Sequence, residues 1–156
     1  MTINATTRPT PKTDPAPGGM TELSRDECFS FLRSQSVGRL AVTSEGKPPL
    51  VVPVNFVVVG EAILFRSDPG LKLRLVRKEP MSFQADLIDP VHHSGYSVLA
   101  QGVGHEASHW ETDHVHLEPW AAGPKKQWVR MVVDSISGRR LAPPDVGWPA
   151  SDRGYL

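Results

Sequence analysis

The chain has 156 residues, enough for one domain with a real core, since chains of this size bury about 70% of their unfolded surface. Seventeen basic residues balance seventeen acidic ones, which excludes a global field able to gather duplex nucleic acid or an anionic membrane. The single cysteine, Cys28, excludes an intramolecular disulfide and fits a reducing cytoplasm.

No apolar run approaches the ~20 residues needed to span a bilayer. The N-terminus lacks the basic-then-apolar order of a secretory signal, so the expectation is a cytoplasmic protein. Residues 1–20, rich in Thr, Pro, Ala and Gly, read as a disordered tail, and 142–156 as a C-terminal tail of similar composition. Folded structure is expected over 21–141.

Ser24 with Glu27 three residues on is a capping box, which predicts a helix from about Arg25 to Ser34. Cys28, Phe31 and Leu32 fall on its buried face. Cys28 is packing there, because nothing nearby would lower its pKa. Val37–Thr43 alternates as a strand and turns at Ser44–Lys47. Next comes the most informative stretch. Leu50–Val59 is an extended apolar run, Gly60-Glu61 a tight turn, and Ala62–Phe65 a second run, together a hairpin. Arg66 and Ser67 stand at its exit, before the Asp68-Pro69-Gly70 turn and the cations Lys72, Arg74, Arg77 and Lys78. Cations and free amides converging at a turn suit a phosphate group.

Leu71–Arg77 reads as a short amphipathic helix stopped by Pro80. Met81–Ile88 and Tyr96–Glu106 are strands, the second with Gly102 and Gly104 inside it, where bulges or close backbone approach are expected. Ser108–Leu117 forms a helix capped by Ser108 and Glu111, 118–126 is irregular, and Gln127–Ile136 is the last strand, closed by Ser137-Gly138. The fold class is mainly β, with six strands and a few short helices. An antiparallel barrel that closes on itself is the economical arrangement, since closure removes edges.

The order Pro53-Val54-Asn55-Phe56, Leu64-Phe65-Arg66-Ser67, Gly70-Leu71-Lys72, Gly95-Tyr96-Ser97-Val98 and Trp128-Val129-Arg130 resembles the pyridoxamine 5′-phosphate oxidase-like family. Its members are flavin-binding split β-barrels of Greek-key type. The resemblance covers most of 21–141. It implies a homodimer with an FMN in each of two clefts between the subunits. Arg66, Ser67 and Lys72 match positions that hold the FMN phosphate. Pro53, Val54 and Asn55 would run along the isoalloxazine ring, and Tyr96 and Ser97 fall where family residues contact the flavin. Trp128, opening the last strand beside Arg130, is placed near the cofactor. Leu71 stands where relatives usually carry Ser or Arg. The true oxidases end in a Phe-Trp pair and an Arg-Leu-His-Asp-Arg segment; here Ser137-Gly138-Arg139-Arg140-Leu141 has neither Trp nor His. The resemblance is therefore to the shorter actinobacterial-type members, and the expected function is an FMN-dependent oxidoreductase of other substrate, with no acid or base nominated.

Other chemistries are weaker. His105, His109, His114 and His116 do not share one helix face, and no cysteine completes a zinc set. A haem-binding relative would need one axial ligand, for which His92, His93 or His116 are available. The run Lys72–Lys78 lacks aromatic interleaving, so nucleic acid is not an expected partner. Trp110 and Trp120 read as core or dimer interface. A carrier or sensor without turnover, or a deazaflavin coenzyme whose acidic tail would use Arg74 and Arg77, are the alternatives to FMN redox catalysis.

Overall fold

Alternation of apolar and polar side chains along the strands turns one face of each toward a shared interior. The computed structural model describes residues 16–43, 46–67, 80–123 and 125–145. In chain order these form β1 (Met20–Leu23), α1 (Arg25–Arg33), β2 (Val37–Val42), β3 (Leu50–Val59) and β4 (Ala62–Ser67), then β5 (Pro80–Asp89), β6 (Ser94–Glu106), the one-turn α2 (His109–Thr112) and β7 (Gln127–Leu141). The strand order is β1-β7-β4-β3-β2-β5-β6, and a further β6–β7 pairing closes six strands into a barrel. All pairings are antiparallel. The expected six-stranded barrel is therefore present, with β1 added along the far end of β7. No helix among the described residues is long and apolar enough to cross a membrane.

Leu40, Ile63, Phe65, Phe83, Val98 and Met131 fill the interior, and Phe56 meets Phe83 edge-on at 4.7 Å between ring centroids. Helix α1 packs Cys28, Phe29 and Leu32 onto this core. Phe29 thus takes a buried place that the helical spacing had given to Phe31, which is half-buried and stacks on Tyr96 at 5.5 Å. The expected capping box is formed, with Glu27 Oε2 accepting from Ser24 N at 2.6 Å. Arg25 forks onto Glu61 (3.0 and 2.6 Å) and Arg33 donates to Gly60 O at 2.8 Å, tying α1 to the β3–β4 turn. Gly60 has φ 59°, a left-handed turn conformation that other residues resist.

Three elements differ from the sequence reading. Strand β7 runs on to Leu141 instead of stopping at Ser137-Gly138, because Gly138 is a close-approach glycine within the strand. A Cβ there would lie 2.7 Å from Cys28 Sγ. Strand β1 pairs with that extension, Met20 opposite Leu141 and Leu23 opposite Gly138. The helix expected over Ser108–Leu117 shrinks to the single turn His109–Thr112: its capping box forms, but none of its residues is buried, so no packing extends it. The helix expected at Leu71–Arg77 lies outside the described residues.

Candidate functional site

Strand β4 ends at Arg66 and Ser67, which pair across the ladder with Trp128 and Gln127 of β7. Successive strand residues face opposite sides. Arg66 accordingly turns outward, half-buried, while Ser67 is buried at 1% exposure. The Arg66 guanidinium carbon sits 5.5 Å from the Trp128 ring centroid, and Nη1 donates to Leu117 O at 3.3 Å. Its Nε is buried without any hydrogen-bond partner, as is Oε1 of the neighbouring Gln127. Among the described residues Arg66 pairs with no carboxylate. A buried N–H with nothing to donate to costs about 1–3 kcal/mol, which marks Arg66 as a candidate for an acceptor from outside the chain.

The acceptor has room beside it. A cavity of about 170 Å³ is walled on the barrel side by Val37, Pro53, Val54, Asn55 and Arg66. Pro119, Trp120, Ala121 and Lys125, from the excursion between β6 and β7, also line it. Four of the sequence-derived site residues thus meet in one place, with Trp128 against Arg66. Asn55 is more committed than expected. Its Oδ1 accepts from Trp120 N at 2.9 Å and its Nδ2 donates to Ser36 O at 3.2 Å, so the side chain holds the excursion while its backbone lies along the cavity. Lys72 lies outside the described residues.

Ala107 N donating to Trp128 O at 2.9 Å and the Glu111–Arg130 pair at 3.2 Å fix the root of the excursion. Hydrogen bonds from Ser108 N and Oγ, both 2.8 Å, with help from Arg130, hold the Glu111 carboxyl below the usual carboxylate range. A depressed folded pKa contributes stability above the unfolded value, about 4.3, that is lost as pH falls through the folded one. Glu111→Gln should therefore cost about 0.5–1 kcal/mol at pH 7. In urea titrations the gap between variant and wild type should shrink as the solution is acidified; a gap constant with pH would remove the ionised cap from the account.

Tyr96 and Ser97 stand elsewhere. They line an apolar cavity of about 420 Å³ with Met20, Ile88, Arg139 and Leu141. The Arg140 guanidinium lies 5.9 Å from the Tyr96 ring centroid. Asp89 closes the adjoining turn by accepting from Val91 N and His92 N at 3.0 Å each, and the His92 bonds hold its carboxyl low. Tyr96 pairs with Arg140 at one end of β7, whereas Arg66 pairs with Trp128 at the other. Twelve residues at ~3.3 Å separate the two along the strand, roughly 40 Å of path. One chain does not bring the two groups together.

Neither Trp110, 85% exposed, nor Trp120, 75% exposed, joins the core. Trp120 and Lys125 were not among the expected site residues; a tryptophan shortly before a Gly-Pro-Lys-Lys run in an irregular segment was the available signal. No three of His, Cys, Asp and Glu come together as a metal set among the described residues.

A closed six-stranded antiparallel barrel, with the Arg66 guanidinium beside a cavity at the end of β4, is a split β-barrel. The chain belongs to the pyridoxamine 5′-phosphate oxidase family, whose pattern residues 24–140 match. A Mycobacterium tuberculosis protein of uncharacterized function is 28% identical over 121 residues, 74% of this chain and 76% of that one. A solved structure of an FAD-binding protein from Mycobacterium smegmatis is 30% identical with a TM-score of 0.62, covering 79% of this chain and 99% of the other. A candidate pyridoxamine 5′-phosphate oxidase from Corynebacterium glutamicum superposes with a TM-score of 0.70 at 26% identity, covering 81% and 96%.

Proposed function

We propose that this protein binds a flavin through the phosphate of its FMN moiety, held at Arg66, and works as a flavin-dependent oxidoreductase. The observation that carries the reading is the buried, unpartnered Nε of Arg66 beside a cavity lined, among the described residues, by no carboxylate. A phosphate oxygen is the acceptor that satisfies both its hydrogen bond and its charge. The M. smegmatis relative described as FAD-binding supports a flavin as the ligand. Lys72 is proposed as a further phosphate contact on the family resemblance.

A bound flavin would supply two-electron or one-electron transfer between small-molecule partners. The chain's own part is orientation. Arg66, steadied by Trp128 and Leu117 O, fixes the phosphate end, and the backbone of Pro53, Val54 and Asn55 lies along the cavity wall. Pro119, Trp120, Ala121 and Lys125 of the excursion complete the lining. Among the described residues the polar side chains lining this cavity are Asn55, Arg66, Trp120 and Lys125, and the role proposed for them is binding and orientation.

Tyr96 and Ser97 belong to this site only if a second copy supplies them, since within one chain they lie at the other end of β7. A homodimer with the flavin between subunits is proposed on that ground. The purified protein should carry flavin absorption bands, or acquire them with added FMN or FAD, and should run as a dimer by light scattering at micromolar concentration. A flavin-binding monomer would remove the shared cleft, and failure to bind any flavin would remove the reading. Oxidation of a reduced nicotinamide donor with a quinone acceptor then separates an enzyme from a carrier.

A further inference from the structure

We infer that residues 115–121 form a strap that opens as one local unit to admit a phosphate-bearing ligand to Arg66 and closes behind it, with Asn55 as its latch. That the ligand is a flavin rests on the reading above; the opening of the strap does not.

Val115, Leu117 and Pro119 are half-buried while His116, Glu118 and Trp120 are exposed, the alternation of an extended segment with one side turned down onto a surface. The segment belongs to no helix or strand, and none of its residues is buried. Among the described residues two hydrogen bonds join it to the barrel. Trp120 N donates to Asn55 Oδ1 at 2.9 Å, and Arg66 Nη1 donates to Leu117 O at 3.3 Å. The flanking chain is tied down by other means: Ala107 N reaches Trp128 O, Glu111 pairs with Arg130, and Gln127 opens β7. A stretch with anchored ends, no buried side chain and two hydrogen bonds opens locally while the rest stays folded.

Both bonds end on residues that line the ligand cavity. Asn55 is the stationary half of the latch, since its Nδ2 is held on Ser36 O at 3.2 Å. Arg66 commits Nη1 to the strap while its buried Nε has no acceptor, so the closed strap steadies a guanidinium that still has a donor to offer. The Arg66 cavity, about 170 Å³, is smaller than the roughly 300–1,000 Å³ usual for a small-molecule site. Asn55 and Trp120 also line a second cavity of about 440 Å³, together with Leu32, Val57 and His116. Because both residues line both cavities, the bond between them lies in the wall the two share, and releasing it lets them join.

Amide hydrogen exchange of the full chain by NMR, and stopped-flow mixing with FMN, test this. The Trp120 amide should exchange through an opening that urea does not promote, whereas amides of β7 exchange through one that urea does. Asn55→Ala should lower the Trp120 protection about fivefold, the worth of one neutral hydrogen bond. Added FMN should raise it. The observed rate of FMN binding should level off at high FMN. That plateau should stand about fivefold higher in Trp120→Pro, which lacks the latching N–H, than in Trp120→Ala, which keeps it. A Trp120 amide that exchanges only with global unfolding would overturn the inference. So would a binding rate that rises linearly with FMN and is the same in both variants, since the ligand then enters past a closed strap. Failure of FMN to bind sinks the flavin reading instead. The strap is then judged with inorganic phosphate, which should raise Trp120 protection; no response to phosphate would remove it.

Discussion

Arg66→Ala will weaken flavin binding by about ten- to a hundredfold while leaving the barrel folded. Charge-assisted hydrogen bonds are worth roughly 1.5–3 kcal/mol each, and one lost contact of that size gives this range. Stability should not fall with it. In the free protein Arg66 gains only a 3.3 Å bond to Leu117 O and the face of Trp128, and it carries the cost of a buried donor with no acceptor. Removing the side chain removes that cost, so the urea midpoint of the free protein should stay level or rise. Arg66→Lys should recover only part of the affinity, because an ammonium neither stacks flat on Trp128 nor offers two donors in a fixed fork. Fluorescence titration checks the affinity, and an Arg66→Ala variant that binds flavin as wild type does would take the phosphate away from this residue.

The β3–β4 hairpin and the α1 cap were legible in the sequence because local chemistry decides them: β-branched runs flank a glycine that must adopt a left-handed turn, and Ser24 and Glu27 satisfy each other. The barrel was legible because six such strands leave few other ways to bury their faces. Alternation also foretold that Arg66 and Ser67 would face opposite ways, and the sequence reading put both on one ligand without using it. What was not legible depends on distant partners. β1 is four residues that become a strand only because β7 runs past Gly138 to offer Leu141, Arg140 and Arg139 as an edge. Trp120 reaches the cavity through Asn55, 65 residues earlier, and nothing local to 118–126 signals that bond. The gap between Tyr96 and Arg66 is likewise a property of β7, which pairs with one at each end.

Gly102→Ala should cost the most stability of any alanine put in place of a described glycine, since its added Cβ meets backbone at the shortest distance. A Cβ at that position would lie 1.9 Å from Val132 O, 2.9 Å from Val132 C and 3.2 Å from Asp134 N. All three are backbone atoms, so no rotamer change relieves the clash. At Gly38 the obstacle is the Phe83 ring at 2.1 Å, and at Gly138 it is chiefly Cys28 Sγ at 2.7 Å; side chains can move by some tenths of an ångström. Gly102 sits where the β6–β7 register shifts, after Gln101, which is the bulge the glycine had suggested. That ladder is also the pairing that closes the barrel. Alanine must spread it, giving up ladder hydrogen bonds worth about 1 kcal/mol each on top of about 1–3 kcal/mol of overpacking. Three kcal/mol or more, against the roughly 5–15 kcal/mol that holds a domain together, leaves a protein that opens readily. Flavin affinity should fall with it, because β7 carries Trp128 out of the same ladder. Urea unfolding followed by circular dichroism decides: a Gly102→Ala protein within about 1 kcal/mol of wild type would mean the closing pairing is looser than these distances allow.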